Sequence, residues 1–323
     1  MVFYILCLRI FLSITYSCFA KMTHIAILVA AFNGKEWLKQ QLDSILNQND
    51  VNVHIFISVD QSSDETEDFI DQFATSDTRI TVLPHGQKFG GPAANFFRLI
   101  DDVNFDDFDY VSFADQDDIW FPDKLLRASS KLQGTGADGY SSNVTAFWPG
   151  GRQLLIEKSQ PQRQWDFLFE AGAPGCTYVM TVKLALIIKQ FLRDNKKAMT
   201  EVWMHDWFCY SFSRAKGYQW YIDDYSSMLY RQHLDNEVGV NSGRSAMLYR
   251  VRKIVDGLGM RQSVLFADLF GLKENLFVKK WVYGQRLGFI FLAFNARLCR
   301  RRFRDQILFF FSCLIMAIMY RNN

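Results

Sequence analysis

Two aspartates one residue apart, Asp115 and Asp117, stand in the run Asp115-Gln116-Asp117-Asp118 directly behind the apolar residues 110–114. Carboxylates at that spacing can share a hard divalent cation, Mg²⁺ or Mn²⁺, which keeps coordination positions for substrate phosphates. The pair suits a nucleoside diphosphate, with one acid reaching a ribose hydroxyl while the other holds the metal. A D-x-D tripeptide alone usually marks a solvated turn or a helix cap. Its position after an apolar run and ahead of Ile119-Trp120-Phe121-Pro122 favours the functional reading. A second acid, Asp206, lies between His205 and Trp207 in the segment Trp203-Met204-His205-Asp206-Trp207-Phe208. An imidazole and an indole on either side imply a partly desolvated carboxyl whose pKa can rise toward that of a general base. Local sequence alone favours a helix N-cap for Asp206. His205 has no second histidine at i+4 and reads as a brace for the site, not as a metal ligand. Together with Trp120 and Trp207 it marks the expected acceptor pocket.

These acids need elements to position them. Residues 24–31 form an uninterrupted apolar run of strand length ending at the turn signal Asn33-Gly34. Apolar residues then recur at helical spacing over 35–48, and residues 51–59 alternate as a β-branched second strand. Ser63-Asp64-Glu65-Thr66 offers capping chemistry for a helix through Phe73, residues 79–83 read as a third strand, and Pro92 opens a short helix. A fourth strand over 110–114 is followed by a helix expected from Pro122 to Leu132. Alternating strands and helices predict an α/β fold with a mostly parallel sheet, whose ligands bind at the carboxyl ends of the strands. Asn33, Asp60, Asp115 and Asp117 all occupy such ends. Asp60 can accept from a nucleobase N–H or close an Asx turn, and Asn95 either assists the nucleotide or packs a helix start. No GxGxxG fingerprint follows the first strand, which counts against a nicotinamide or flavin enzyme.

The ordered set Ala30-Ala31-Phe32-Asn33-Gly34, SVDQSSDET over 58–66 and ADQDDIWFPDKL over 114–125 resembles the inverting family 2 glycosyltransferases. Its DQDDIW form is similar to the bacterial rhamnosyltransferase-like branch, which builds surface polysaccharides. The resemblance spans roughly residues 23–239. It implies a GT-A, Rossmann-like catalytic domain over 22–240, with a nucleotide-sugar half (22–135) and an acceptor half (136–240). It also implies that Asp206 is the general base, that Ala31, Asn33, Asp60, Asn95 and Asp115 bind the nucleotide sugar, and that Asp117 holds the metal. Tyr230-Arg231-Gln232-His233-Leu234-Asp235-Asn236 resembles the segment that closes over the diphosphate in the family. It makes Arg231 a partner for phosphate oxygens and His233 a contact of diphosphate or metal, while a salt-bridged or hydrogen-bonded surface turn explains both equally well. Val59 stands where many members carry another acid, so base contact rests on Asp60. The implied donor is a dTDP- or UDP-linked sugar, dTDP-L-rhamnose first. The implied acceptor is a lipid-linked oligosaccharide. A metal-dependent nucleotidyltransferase and a non-catalytic sugar- or lipid-binding membrane protein are the alternatives.

The chain of 323 residues is 49% hydrophobic and 16% aromatic, enough for a sizeable core, and 36 Lys+Arg against 34 Asp+Glu leave +2, which argues against nucleic acid as a partner. Six scattered cysteines without a CxxC pair suit a reducing compartment and buried positions. Residues 1–21 are largely apolar and read as a signal, an anchor, or sequence upstream of a start at Met22, the last being favoured. Over 241–323, Arg297, Arg300, Arg301, Arg302 and Arg304 cluster between the apolar runs 287–294 and 307–320, each too short to span a bilayer. Helices lying in the membrane interface with arginines on anionic headgroups are expected there, at the cytoplasmic side of a bacterial inner membrane, peripheral or monotopic. A helical subdomain packed on the catalytic domain is the alternative.

Overall fold

The computed structural model describes residues 22–233 and 257–320, so the readings made for residues 1–21 and for Leu234, Asp235 and Asn236 lie outside the described residues. The boundary expected at 240/241 lies there too. Nine strands form one sheet among the described residues: β1 (Thr23–Ala31), β2 (Val51–Val59), β3 (Ile80–Val82), β4 (Tyr110–Ala114), β5 (Ile119–Trp120), β6 (Gly139–Phe147), β7 (Gln153–Ile156), β8 (Val179–Thr181) and β9 (Trp220–Arg231). Their order is β3-β2-β1-β4-β8-β6-β9-β5, with β7 paired to β6. β1 runs parallel to both β2 and β4, and β2 to β3, giving the parallel nucleotide half. The second half is mixed: β8 is antiparallel to β4 and β6, whereas β9 returns parallel to β6.

An unbroken apolar run is what a strand covered on both faces requires. Ile25, Ile27 and Val29 of β1 pack toward α1 (Lys35–Leu46) and α4 (Lys124–Thr135). Ala26 and Leu28 face the opposite core, with α3 (Pro92–Asp102), α5 (Val182–Asp194) and α7 (His205–Ala215). Two shorter helices, α2 (Thr66–Ala74) and α6 (Lys196–Met199), complete this part. Pro92 takes the first helical position of α3, and Gly136 ends α4 at φ 69°, a left-handed conformation glycine adopts without steric cost. α4 starts two residues after Pro122, because Phe121 carbonyl first accepts the Lys124 N–H in a turn. The four described cysteines are free and buried.

The C-terminal residues form α8 (Leu258–Leu269), α9 (Leu276–Val282), α10 (Gln285–Phe294), α11 (Ala296–Cys299) and α12 (Phe303–Met319). Phe266, Phe270, Val278, Trp281, Leu292 and Cys313 join the same core as α3, α5 and α7. Among the described residues no helix is long and apolar enough to cross a membrane. The arginine cluster divides. Arg297, Arg302 and Arg304 are exposed, but Arg301 is buried and Arg300 half-buried. The expectation that all five face headgroups is therefore corrected: Arg300 and Arg301 are drawn inward by Glu170 and Asp166, since a buried carboxylate needs a compensating charge.

Candidate active site

The Asp115–Asp118 loop leaves the carboxyl end of β4 and is pinned to its surroundings. Gln116 receives the Phe32 N–H on Oε1 (2.7 Å) and donates from Nε2 to the Phe32 carbonyl (2.8 Å), copying a strand neighbour. Gly34 makes room for it, for a Cβ there would lie 2.2 Å from Gln116 Oε1. Asp118 is fully buried and accepts the Arg231 N–H (3.1 Å), and the Arg231 Nε donates to the Asp117 carbonyl (2.7 Å). The end of β9 thereby lies against the acidic loop, with β5 paired to β9 one step away.

Asp117 and His233 come together as the sequence suggests: His233 Nε2 stands 2.6 Å from Asp117 Oδ2. The Trp37 indole stacks on the His233 ring with centroids 4.1 Å apart. Arg231 is engaged differently from expectation. Its guanidinium also donates to Gln40 Oε1 (2.6 Å) and lies over the Phe147 ring, so in this conformation it acts first as a clasp between α1, the acidic loop and β9.

Around Asp115 the charge is poorly compensated. The carboxylates of Asp115 and Asp118 and the Cys176 Sγ lie within 4.8 Å of one another. Burial, then the charges of Asp117 and Asp206, raise Asp115 to about 7. Burial, then the charges of Asp117 and Asp115, hold Asp118 well above the usual carboxylate range. Lys124 is buried with Nζ 3.5 Å above the Trp120 ring, and burial lowers it to about 7. Asp118, Gln116, Cys176, Lys124, Trp37 and Gln40 were not singled out from sequence. Only Asp118 carried a signal, as the last acid of its motif.

Asp206 sits in the first turn of α7, whose N-cap is Met204, so it is a helix residue and not the cap. It is buried, and its Oδ1 accepts the Trp207 N–H (2.6 Å). Burial pushes its carboxyl up to about 6, against the Trp207 N–H, the Lys158 charge and the Gly175 N–H, which pull it down. Because its charge raises Asp115, the two acids act on one region. The acceptor-pocket residues are corrected. Trp207 is core, donating Nε1 to the Phe167 carbonyl (2.9 Å) and meeting Phe266 edge-on. Trp120 is likewise buried under Lys124. The Trp207 indole N–H is satisfied inside the core, whereas the buried Trp120 Nε1 has no hydrogen-bond partner among the described residues. His205 braces: it stacks on Phe96 (3.8 Å between centroids), and burial lowers it to about 3, so it is neutral.

In the nucleotide half, Asp60 accepts three backbone N–H groups, from Gln61 (2.9 Å) and Phe89 (2.8 Å) on Oδ1 and from Gly90 (3.0 Å) on Oδ2. A carboxylate has about four acceptor positions, so at most about one remains for a base. Asn95 donates to the Ser58 carbonyl (3.0 Å) and, more weakly, to that of Ala31 (3.5 Å), tying β1 to β2, while its buried Oδ1 has no partner among the described residues. The Ala31 carbonyl also accepts the Asp60 N–H (2.8 Å). Asn33, at φ 47°, accepts from the Ser63 N–H (2.7 Å) and links the first two strand ends.

Sequence and fold comparisons agree with this arrangement. Residues 26–171 match the model of glycosyl transferase family 2. The dTDP-rhamnosyl transferase RfbG of Shigella flexneri is 41% identical over 280 residues, 86% of this chain and 96% of that protein. The succinoglycan biosynthesis protein ExoW of Rhizobium meliloti is 33% identical over 127 residues, 38% of this chain and 39% of its own length. Among solved structures, S. aureus TarS 1-349 in complex with UDP superposes with a TM-score of 0.52 at 12% identity, covering 92% of this chain and 88% of that one, a likeness of fold alone. With near full-length identity to one glycosyltransferase and the acidic loop at the strand ends where the motifs require it, the chain belongs to glycosyl transferase family 2 and is a glycosyltransferase.

Proposed function

We propose that the chain transfers L-rhamnose from dTDP-L-rhamnose, with inversion, to a hydroxyl of a lipid-linked oligosaccharide in surface polysaccharide synthesis. Membership of a transferase family removes the nucleotidyltransferase and binding-protein alternatives. The donor rests on the similarity to RfbG. The mechanism rests chiefly on one observation: Asp206 is a buried carboxyl raised to about 6, acting on the same region as Asp115. At neutral pH roughly nine-tenths of such a group is ionised yet still basic enough to take a proton during attack. Asp206 removes the proton of the acceptor hydroxyl as its oxygen bonds to the anomeric carbon. The bond from that carbon to the diphosphate oxygen breaks, and its electron pair leaves with the nucleotide. Attack from the face opposite the leaving group inverts the configuration without a covalent intermediate.

A divalent cation fits the donor set here, because Asp117 and the His233 imidazole, 2.6 Å apart, supply oxygen and nitrogen ligands. Burial, then the charges of Asp117 and Asp206, push Asp115 toward protonation, and added positive charge at this loop would oppose that. Mg²⁺ or Mn²⁺ held there would neutralise charge on the departing diphosphate. Asp115 is the candidate for the sugar or ribose hydroxyls, and Asn33, Asp60, Asn95 and Ala31 shape the nucleotide end.

For location, we read α10 and α12 as lying on the cytoplasmic face of the inner membrane. Leu287, Phe294, Phe303, Ile307, Phe311 and Ile318 are exposed on these helices or at their ends, beside the exposed Arg297, Arg302 and Arg304. Such an apolar face rimmed by arginines suits an anionic interface. A panel of nucleotide sugars incubated with membranes bearing the lipid-linked glycan, with products read by mass, tests the assignment. Addition of a deoxyhexose from dTDP-L-rhamnose that stops on chelation is the expected result. No divalent-dependent transfer from any donor would remove the proposal.

A further inference from the structure

A buried ionic clasp joins the C-terminal segment to the loop beside Asp206. Arg301 is 4% exposed and spends its guanidinium entirely inside the protein. Nη2 donates to the carbonyls of Ala171 (2.7 Å) and Gly172 (2.9 Å). Nη1 reaches Tyr210 Oη (3.3 Å) and Asp166 Oδ2 (3.4 Å), and the Arg301 N–H donates to Glu170 Oε1 (2.7 Å). Next to it, Arg300 Nη1 donates to the Phe169 carbonyl (2.8 Å). The carbonyls of Phe169, Ala171 and Gly172 and the Glu170 carboxylate are thus held by two adjacent arginines just ahead of α12.

The held loop leads straight to the proposed base. Gly172 is gripped from its other side, its N–H donating to Tyr178 Oη (3.0 Å). Three residues on, Gly175 packs so closely that a Cβ would lie 2.7 Å from His205 Nε2 and 3.1 Å from Asp206 Cβ. Cys176 follows, fully buried beside Asp115 and Asp118. We infer that Arg301 is a positioning residue: by holding the Ala171 and Gly172 carbonyls it lets the C-terminal helices set the loop that packs on Asp206. The inference rests on Asp206 being the general base. Nη2 serves both carbonyls while Nη1 reaches Tyr210 and Asp166, a planar fork that the single ammonium of lysine reproduces poorly.

The charged and titratable groups acting on Asp206 are Asp115, Lys158, Tyr178 and Cys209, with the neutral His205 adjoining it. None of them is replaced in Arg301→Gln, but Lys158 feels the Arg301 charge, so movement of the loop is read from Arg301→Lys, which keeps that charge, from Tyr178→Phe and from the Cys176 alkylation rate. The test uses the full chain as Arg301→Gln, Arg301→Lys, Tyr178→Phe and Asp206→Asn, with dTDP-L-rhamnose as donor and dTDP as the binding probe. Arg301→Gln is expected to lower kcat about 10- to 100-fold, the usual consequence of misplacing a catalytic group by about an ångström. Its dTDP affinity stays within about twofold of the parent, and the acid limb of its kcat profile moves to higher pH as the Gly175 N–H withdraws from Asp206. Arg301→Lys recovers only part of the loss. Independently of turnover, Cys176 should alkylate at least about tenfold faster in Arg301→Gln while Cys209 keeps its protection. Tyr178→Phe, which frees the same loop from the other side, should move both readouts in the same direction and decides the matter if Arg301→Gln does not fold. Unchanged Cys176 protection, or parental kcat and pH limb in the loop variants while Asp206→Asn is dead, overturns the inference and leaves the base assignment standing. An active Asp206→Asn overturns the base assignment, and the alkylation rates still judge the clasp.

Discussion

Replacing Asp206 by Asn should destroy transfer and strengthen the fold. The carboxyl is raised from 3.8 to about 6 chiefly because burial penalises its charged form. An acid with a raised native pKa binds more protons folded than unfolded between these two values, so stability falls as pH rises through that window. Taking ~1.4 kcal/mol per tenfold change in proton affinity, the charge costs up to about 3 kcal/mol at pH 8 and about 1 kcal/mol at pH 4.5. Asn keeps the side-chain oxygen that accepts the Trp207 N–H and sheds the charge, also relieving Asp115. Urea unfolding of the variant at pH 8 should therefore show a gain approaching about 3 kcal/mol that shrinks toward zero below about pH 4, while transfer drops by at least about 100-fold. In the parent enzyme the rate should fall about tenfold per pH unit below about 6. A variant as active as the parent, or one less stable at pH 8 than at pH 4.5 relative to it, would refute the account of Asp206 as a base held ionised at a cost to stability.

Two further outcomes follow from contacts outside the base. Changing Arg297, Arg302 and Arg304 to Gln removes about 1 kcal/mol each of attraction to anionic lipid, so partitioning onto phosphatidylglycerol vesicles should weaken on the order of 100-fold at low salt, with neutral vesicles unaffected. Equal partitioning of parent and variant would remove the interfacial assignment. Trp37→Ala strips the indole from His233, and the Mn²⁺ concentration for half-maximal transfer should rise about tenfold, as outer-sphere losses usually cause. No change in that concentration would separate His233 from the cation.

Local patterns carried the parallel half of the fold: β2 and β4 begin and end where their apolar runs do, since a strand covered by helices has little freedom over which residues it buries. The places of Asn33 after β1 and of the acids after β2 and β4 follow from that topology. What the chain pattern could not reveal is long-range. Trp120 and Trp207 look like sugar platforms in a string, and only the packing of Lys124 and Phe266 against them shows that they are core. Arg231 looks free for phosphate, yet Gln40, 191 residues away in sequence, takes one of its donors. The split of the arginine cluster was equally hidden, because Asp166 and Glu170 lie over 130 residues from Arg301.

Two groups of buried acids in this chain meet opposite fates, and the contrast locates the chemistry. Asp166 and Glu170 are answered in full: Arg214 and Arg301 flank Asp166, Arg300 and Arg301 flank Glu170, and Tyr210 donates to Asp166 as well. Every charge there has a counter-charge, which is what a structural joint needs to repay desolvation. Asp115, Asp117 and Asp118 crowd one loop where Lys124 is itself lowered to about 7 by burial, the Arg231 fork is divided between a carbonyl and an amide, and Asp118 is held well above the usual carboxylate range by burial and by Asp117 and Asp115. A fold does not keep such an imbalance for stability, since neutral residues of the same size would cost less. That imbalance supports the proposed reading of the loop as the place where a cation and the substrate would bind, and Asp206, packed against Gly175 and raised to about 6 by burial despite the Lys158 charge, supports its proposed role as the group that takes the proton.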